Sequence, residues 1–180
     1  MLLANQKKEE NIAEYVIYMY HIEDVIRAMN FDIDAIVKNY VEPQLPDKAF
    51  VNQYREWFLE LIQQMHQEKI EKSGHLRLIQ ETIDELGYLH NMLQDSFKEE
   101  NYINLYNRTL PVIEDFSHHA NLVGHNPIEI AFHSQYMKLL MRLKKDEISA
   151  ETEKAFDAMR VYLAYLAKRY REIMQQSREN

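Results

Sequence analysis

Three glycines and four prolines are all that this chain of 180 residues contains, and nearly every one stands where a helix would begin or end. With so few turn-makers the backbone has little means of building hairpins or glycine cradles, and must run in long unbroken segments. Between the breaks, apolar residues recur at alternating spacings of three and four, the period of a helix with one buried face. No alternating strand pattern competes, because YVIYMY, the most strand-like piece, is embedded in helical periodicity. The prediction is one all-α domain over residues 1–180, a bundle of six or seven helices.

The breaks place the elements. A first helix is predicted over Gln6–Met29, with Asn5 as its cap, and a short one over Ile33–Val41 behind Asp32, stopped by Pro43. A third runs over Lys48–Lys72 from Asp47 to the Ser73-Gly74 break, and a fourth over His75–Phe97. A fifth spans Glu99–Val123 with Pro111 inside it, where a kink is expected. The sixth begins at Pro127 behind Asn126. The seventh begins behind Ser149 and ends near Gln176, leaving a short disordered tail over 177–180. Each seam (Ile12, Tyr15, Met19, Ile22, Ile26 and Met29 in the first; Phe50, Tyr54, Trp57, Leu61 and Met65 in the third; Leu76, Ile79, Ile83, Leu86, His90, Leu93 and Phe97 in the fourth; Ala155, Met159, Tyr162, Leu166, Tyr170 and Ile173 in the seventh) buries one side of its helix.

Composition sets limits on function. A mass of 21.7 kDa scales to roughly 9,000 Å² of folded surface, enough burial for a core without disulfide staples. The sequence has no cysteine, which removes thiol chemistry and fits a reducing cytoplasm. No apolar run approaches the roughly 20 residues needed to span a bilayer, so no membrane role is expected. The net charge is −8: residues 1–137 hold 11 Lys/Arg against 22 Asp/Glu, and residues 138–180 hold 10 against 7. An acidic body of this kind argues against a nucleic-acid partner. The basic end has an ordinary explanation, since Lys168, Arg169 and Arg171 lie in the last turns of a helix and complement its dipole.

Sites of chemistry are sparse. There is no nucleophile elbow and no glycine-rich phosphate loop, so no catalytic residue and no cofactor are assigned. Paired Glu-x-x-His motifs and His-x-x-x-His clamps are also missing. The metal-ligand candidates reduce to His90, Glu129 and His133. Each has a structural alternative. His90 occupies a seam, where a histidine must satisfy both ring nitrogens and is most often simply hydrogen-bonded. Glu129 stands three residues after Asn126, the spacing of a reciprocal helix cap. His133 lies at the margin of the seam formed by Ile128, Phe132, Leu139 and Leu143.

The remaining polar residues read as surface. His118, His119 and His125 gather where the fifth helix ends, a place to capture a metal or sense pH, although histidines there also simply complement the helix dipole. His66 and His75 lack acidic or histidine neighbours at helical spacing. In EYVIYMYHIEDVIRAM, Glu14, His21 and Asp24 share the face turned away from the seam. That face is either plain solvent face or a second contact, with another helix or another copy. Glu23 and Arg27 form a separate i,i+4 pair beside the seam.

The order of ANQKKEENIAEYVIYMYHIEDVIRA, EKSGHL, LHNML and KKDEISAETEKAF along the chain resembles a bacterial all-helical family of about this length, catalogued as a domain of unknown function. The resemblance implies a bacterial cytoplasmic protein and assigns no activity, ligand or site. The expected function is a non-enzymatic interaction or regulatory protein with a protein partner or a second copy of itself. The competing reading is a bundle that binds a metal or small molecule, an enzyme included.

Overall fold

The computed structural model describes residues 2–45 and 47–179, and among them there is no strand. Eight α-helices follow one another: α1 (Leu2–Glu10), α2 (Ile12–Ala28), α3 (Ile33–Ile36), α4 (Val51–Gln67), α5 (Arg77–Asn91), α6 (Glu100–His119), α7 (Pro127–Lys144) and α8 (Ala150–Glu179). The predicted caps Asp32, Asp47, Asn126 and Ser149 each accept a backbone N–H from the helix or turn they open.

The count exceeds six or seven because the first predicted helix is two. Asn11 takes an extended backbone, and its side chain accepts the N–H groups of Ala13 and Glu14. A residue that caps a new helix cannot continue the old one, so the chain breaks there. The last helix is continuous to Glu179, beyond the end predicted near Gln176; Asn180 lies outside the described residues. α6 runs through Pro111 as one helix.

Two helices widen before they stop. Val37–Val41 and Met92–Ser96 are π turns, in which Glu42 and Phe97 donate to carbonyls five residues back. The first leads directly to Pro43, which has no N–H to extend an α ladder. Helix ends are closed without glycine at four places. Asn30, Lys69, Asn121 and Lys145 adopt positive φ, and the residue after each donates to the carbonyl five positions before it.

α2 is the axis of the bundle. It packs on α1, α5, α7 and α8, and α8 in turn packs on α5, α6 and α7. Ten of its seventeen residues are buried, including Ile12, Tyr15, Met19, Ile22 and Ile26 of the predicted seam. The predicted seams of α5 and α8 are mostly inside; His90, Ala155, Tyr170 and Ile173 are half-buried and Phe97 is exposed. α4 is the most lightly held long helix: only Phe58, Leu61 and Met65 are buried, and Phe50, placed on its seam from the sequence, is exposed. The total exposed area of 11,052 Å² exceeds the roughly 9,000 Å² of a compact monomer of this mass. α8, with 30 residues, is about 45 Å long and accounts for part of that excess. No helix among the described residues is long and apolar enough to cross a membrane.

Candidate functional site

A cluster of interacting charged, histidine and tyrosine side chains lies where α2, α7 and the segment joining α4 to α5 meet. α2 contributes Tyr20, Glu23, Asp24 and Arg27, which one helical turn after another brings to the same side. Glu23 is completely buried. One of its oxygens accepts the backbone N–H of Leu76 at 2.8 Å, and the other lies 2.6 Å from Nδ1 of His75. The Tyr20 ring stacks on His75 with centroids 3.6 Å apart.

Asp24 and Arg27 complete the grip. Asp24 accepts the Tyr136 hydroxyl from α7 at 2.5 Å and pairs with Arg27 at 3.0 Å. Arg27 donates to the carbonyls of Ile70 and Gly74. Gly74 has a φ of +95°, a region that side chains rarely adopt, and this turn presents its carbonyl to the guanidinium. Segment 70–76 is therefore tied to α2 by two charged side chains at its two ends.

α7 adds His133, whose ring lies 5.5 Å from those of both His75 and Tyr20. Glu129 sits between two histidines, with its carboxylate 3.2 Å from Nδ1 of His125 and 3.9 Å from Nε2 of His133. Asn126 caps α7 as predicted, through its bond from Ile128 N–H. Tyr20 is fully buried and its hydroxyl has no hydrogen-bond partner; burial and the charges of Glu129 and Glu23 push its pKa upward.

His90 belongs to a different cluster. Its Nδ1 meets the Tyr102 hydroxyl at 2.5 Å and the Tyr162 hydroxyl at 3.2 Å, while Gln94 donates to its Nε2 at 2.7 Å. Tyr106 packs against its ring at 4.6 Å. Both ring nitrogens are occupied, which is how a core histidine is accommodated. Of the three predicted metal ligands, the structure brings together Glu129 and His133 and places His90 elsewhere. Among the described residues, no group of three or more histidines and carboxylates is arranged to hold a metal ion.

Glu14, His21 and Asp24 do not form one site. Glu14 pairs with Lys7 of α1, the His21 ring lies 5.7 Å from that of Tyr40, and Asp24 meets α7. Their face packs at His21 and Asp24 and is open to solvent at Glu14. Glu23 and Arg27 do not pair with each other as predicted, because each reaches the 70–76 segment instead. His75, read from the sequence as a surface or boundary residue, is tied to a buried carboxylate. The signal that could have found Glu23 was present: a helix apolar almost all round is buried all round, so its polar residues need partners.

His21, His90 and His133 are half-buried, and burial is the main reason that each ring's pKa lies below the usual imidazole value. The neighbouring charge of His75 lowers that of His133 further, against the opposing effect of Glu129. Above about pH 6.5 these rings are neutral folded or unfolded. Below it, the unfolded chain takes up protons that the folded rings resist, so stability falls until the lower folded values are passed and then levels off. The urea midpoint is expected to be lower at about pH 5.5 than at about pH 7.5, with ring-proton titrations placing all three rings below the imidazole norm. Equal midpoints with unshifted rings would contradict it.

The fold and these contacts define an all-helical bundle whose buried charged and aromatic groups tie its elements to one another. The chain belongs to the family described as a domain of unknown function (DUF4924), which matches residues 1–177. No curated protein and no solved structure matches it.

Proposed function

We propose that the protein is a non-enzymatic interaction or regulatory bundle of the bacterial cytoplasm, and that it associates with a second copy of itself. The observation that supports this reading is the outer side of α5 and the π turn after it. Leu78, Tyr88, Met92 and Phe97 are large apolar residues left exposed there, Tyr88 by 75%. On an ideal helix Tyr88 and Met92 fall within about 40° of one another and with Phe97 form one patch, which exposed Glu81 and Glu85 separate from Leu78. The polar groups of the core, the Tyr20 hydroxyl aside, are engaged with partners inside the bundle. A cysteine-free sequence fits the reducing compartment.

Light scattering across a concentration series tests the proposal. The wild-type chain is expected to exceed its monomer mass of 21.7 kDa. The double variant Tyr88→Glu/Met92→Glu should run as a monomer with unchanged folding, since exposed substitutions usually alter stability by less than about 0.5 kcal/mol. A wild-type chain that stays monomeric at every concentration, or a double variant that associates equally well, would overturn it.

A further inference from the structure

A cleft of about 90 Å³ opens between α1, α2, α4 and the π turn at 37–41, lined by Leu3, Tyr18, Tyr40, Gln44, Leu45 and Tyr54. It lies apart from the α5 patch, and nothing in the association proposed above depends on it. Its composition is unusual for so small a space, with three phenol rings and no charged lining residue. The rings are braced from behind. Tyr18 stacks on Trp57 at 6.5 Å, Tyr54 meets Trp57 edge-on at 6.4 Å, and Tyr40 meets the buried Phe58 edge-on at 6.1 Å. Rings held this way are preorganised and lose little freedom when something settles among them.

We propose that this cleft binds the quaternary ammonium group of a small molecule. Aromatic faces attract cations through the ring quadrupole, and weakly hydrated alkylated ammonium ions are the cations that aromatic cages recognise. A metal ion or a bare ammonium would lose its water shell here and gain no carboxylate in return. The volume suits a few methyl groups and is well below that of sites for drug-sized ligands. Charge complementarity points the same way. Every lining residue belongs to the stretch 1–137, whose 22 acidic and 11 basic residues give it a balance of −11, a field that draws cations in. The chain's own Lys7, whose ammonium is paired with Glu14 at 3.0 Å beside the cleft, lies 6.0 Å from the Tyr18 ring centroid, so this ring already takes a cation and Glu14 offsets the like charge. Burial with Tyr40 and Tyr54 as neighbours raises the pKa of the Tyr18 hydroxyl, so the phenol stays neutral and its ring remains the recognising surface.

Trp57 is the only tryptophan in the chain, and it touches two of the three lining tyrosines. Its fluorescence, together with ligand-observed NMR, reads binding in the intact protein. Choline chloride, titrated at constant ionic strength, is expected to saturate with a Kd of roughly 1 mM or tighter. The neutral isostere 3,3-dimethylbutan-1-ol should bind about tenfold more weakly or not at all. Tyr54→Leu, checked for folding by circular dichroism, should weaken choline at least about fivefold. Failure of both signals to saturate with choline would overturn the proposal. So would equal binding of the neutral alcohol, or an unchanged Kd in a folded Tyr54→Leu variant.

Discussion

Glu23→Ala is expected to destabilise the fold by about 3–5 kcal/mol, from two buried donors left without an acceptor at about 1–3 kcal/mol each together with the cavity left by the side chain. The loss has three sources: His75 Nδ1 and the Leu76 N–H are left without their acceptor, and a cavity opens beside Tyr20. Urea unfolding followed by Trp57 fluorescence measures it. Glu23→Gln should cost less, because the amide oxygen can still accept from Leu76 N–H and the His75 tautomer can change to meet the amide N–H. A double-mutant cycle with His75→Ala should be non-additive, since the two side chains are in direct contact. A cost below about 1 kcal/mol for Glu23→Ala, or strict additivity with His75→Ala, would show that the 70–76 segment is held by other means.

Phe58→Ala is expected to cost about 3–5 kcal/mol, the range for deleting a buried phenylalanine ring. Phe58 is fully buried, and the rings of Tyr40 and Trp57 lean on it edge-on at 6.1 Å and 5.1 Å. α4 has few other anchors, since Leu61 and Met65 are its only other buried residues. The deletion should therefore loosen α4 as a unit, lower the urea midpoint and shift the Trp57 emission toward the red. A loss of less than about 1.5 kcal/mol with unchanged Trp57 emission would mean that the neighbours close the cavity at little cost.

Local features of the fold are legible in the amino-acid sequence, and contacts between distant residues are not. The caps at Asp32, Asp47, Asn126 and Ser149 were legible because a side-chain oxygen bonds an N–H two or three residues away. The break at Asn11 was open to the same reasoning, but the apolar period continues across it and masked the cap. Helix ends at Lys69, Asn121 and Lys145 were harder to read, because left-handed closures by lysine and asparagine lack the usual glycine signal. His90 was placed on a seam from its spacing alone, and its tyrosine neighbours on α6 and α8 came only with the folded chain. Of the two alternatives for Glu14, His21 and Asp24, the second contact holds for His21 and Asp24, while Glu14 stays on the solvent face.

The amino-acid sequence by itself determined that the chain is all-helical, which faces of most helices turn inward, and which residues open them. These follow from hydrogen bonds and side-chain spacing within one turn or two. Only the tertiary structure decided that Glu23 meets His75 and Leu76, that Arg27 reaches Ile70 and Gly74, and that His133 stands beside His75 and not His90. It also decided that Tyr18, Tyr40 and Tyr54 surround one cleft. These contacts join residues that no helical period relates, and they exist because α2 is enclosed by its neighbours. A polar group carried into such a core must find its partner on whatever element packs against it.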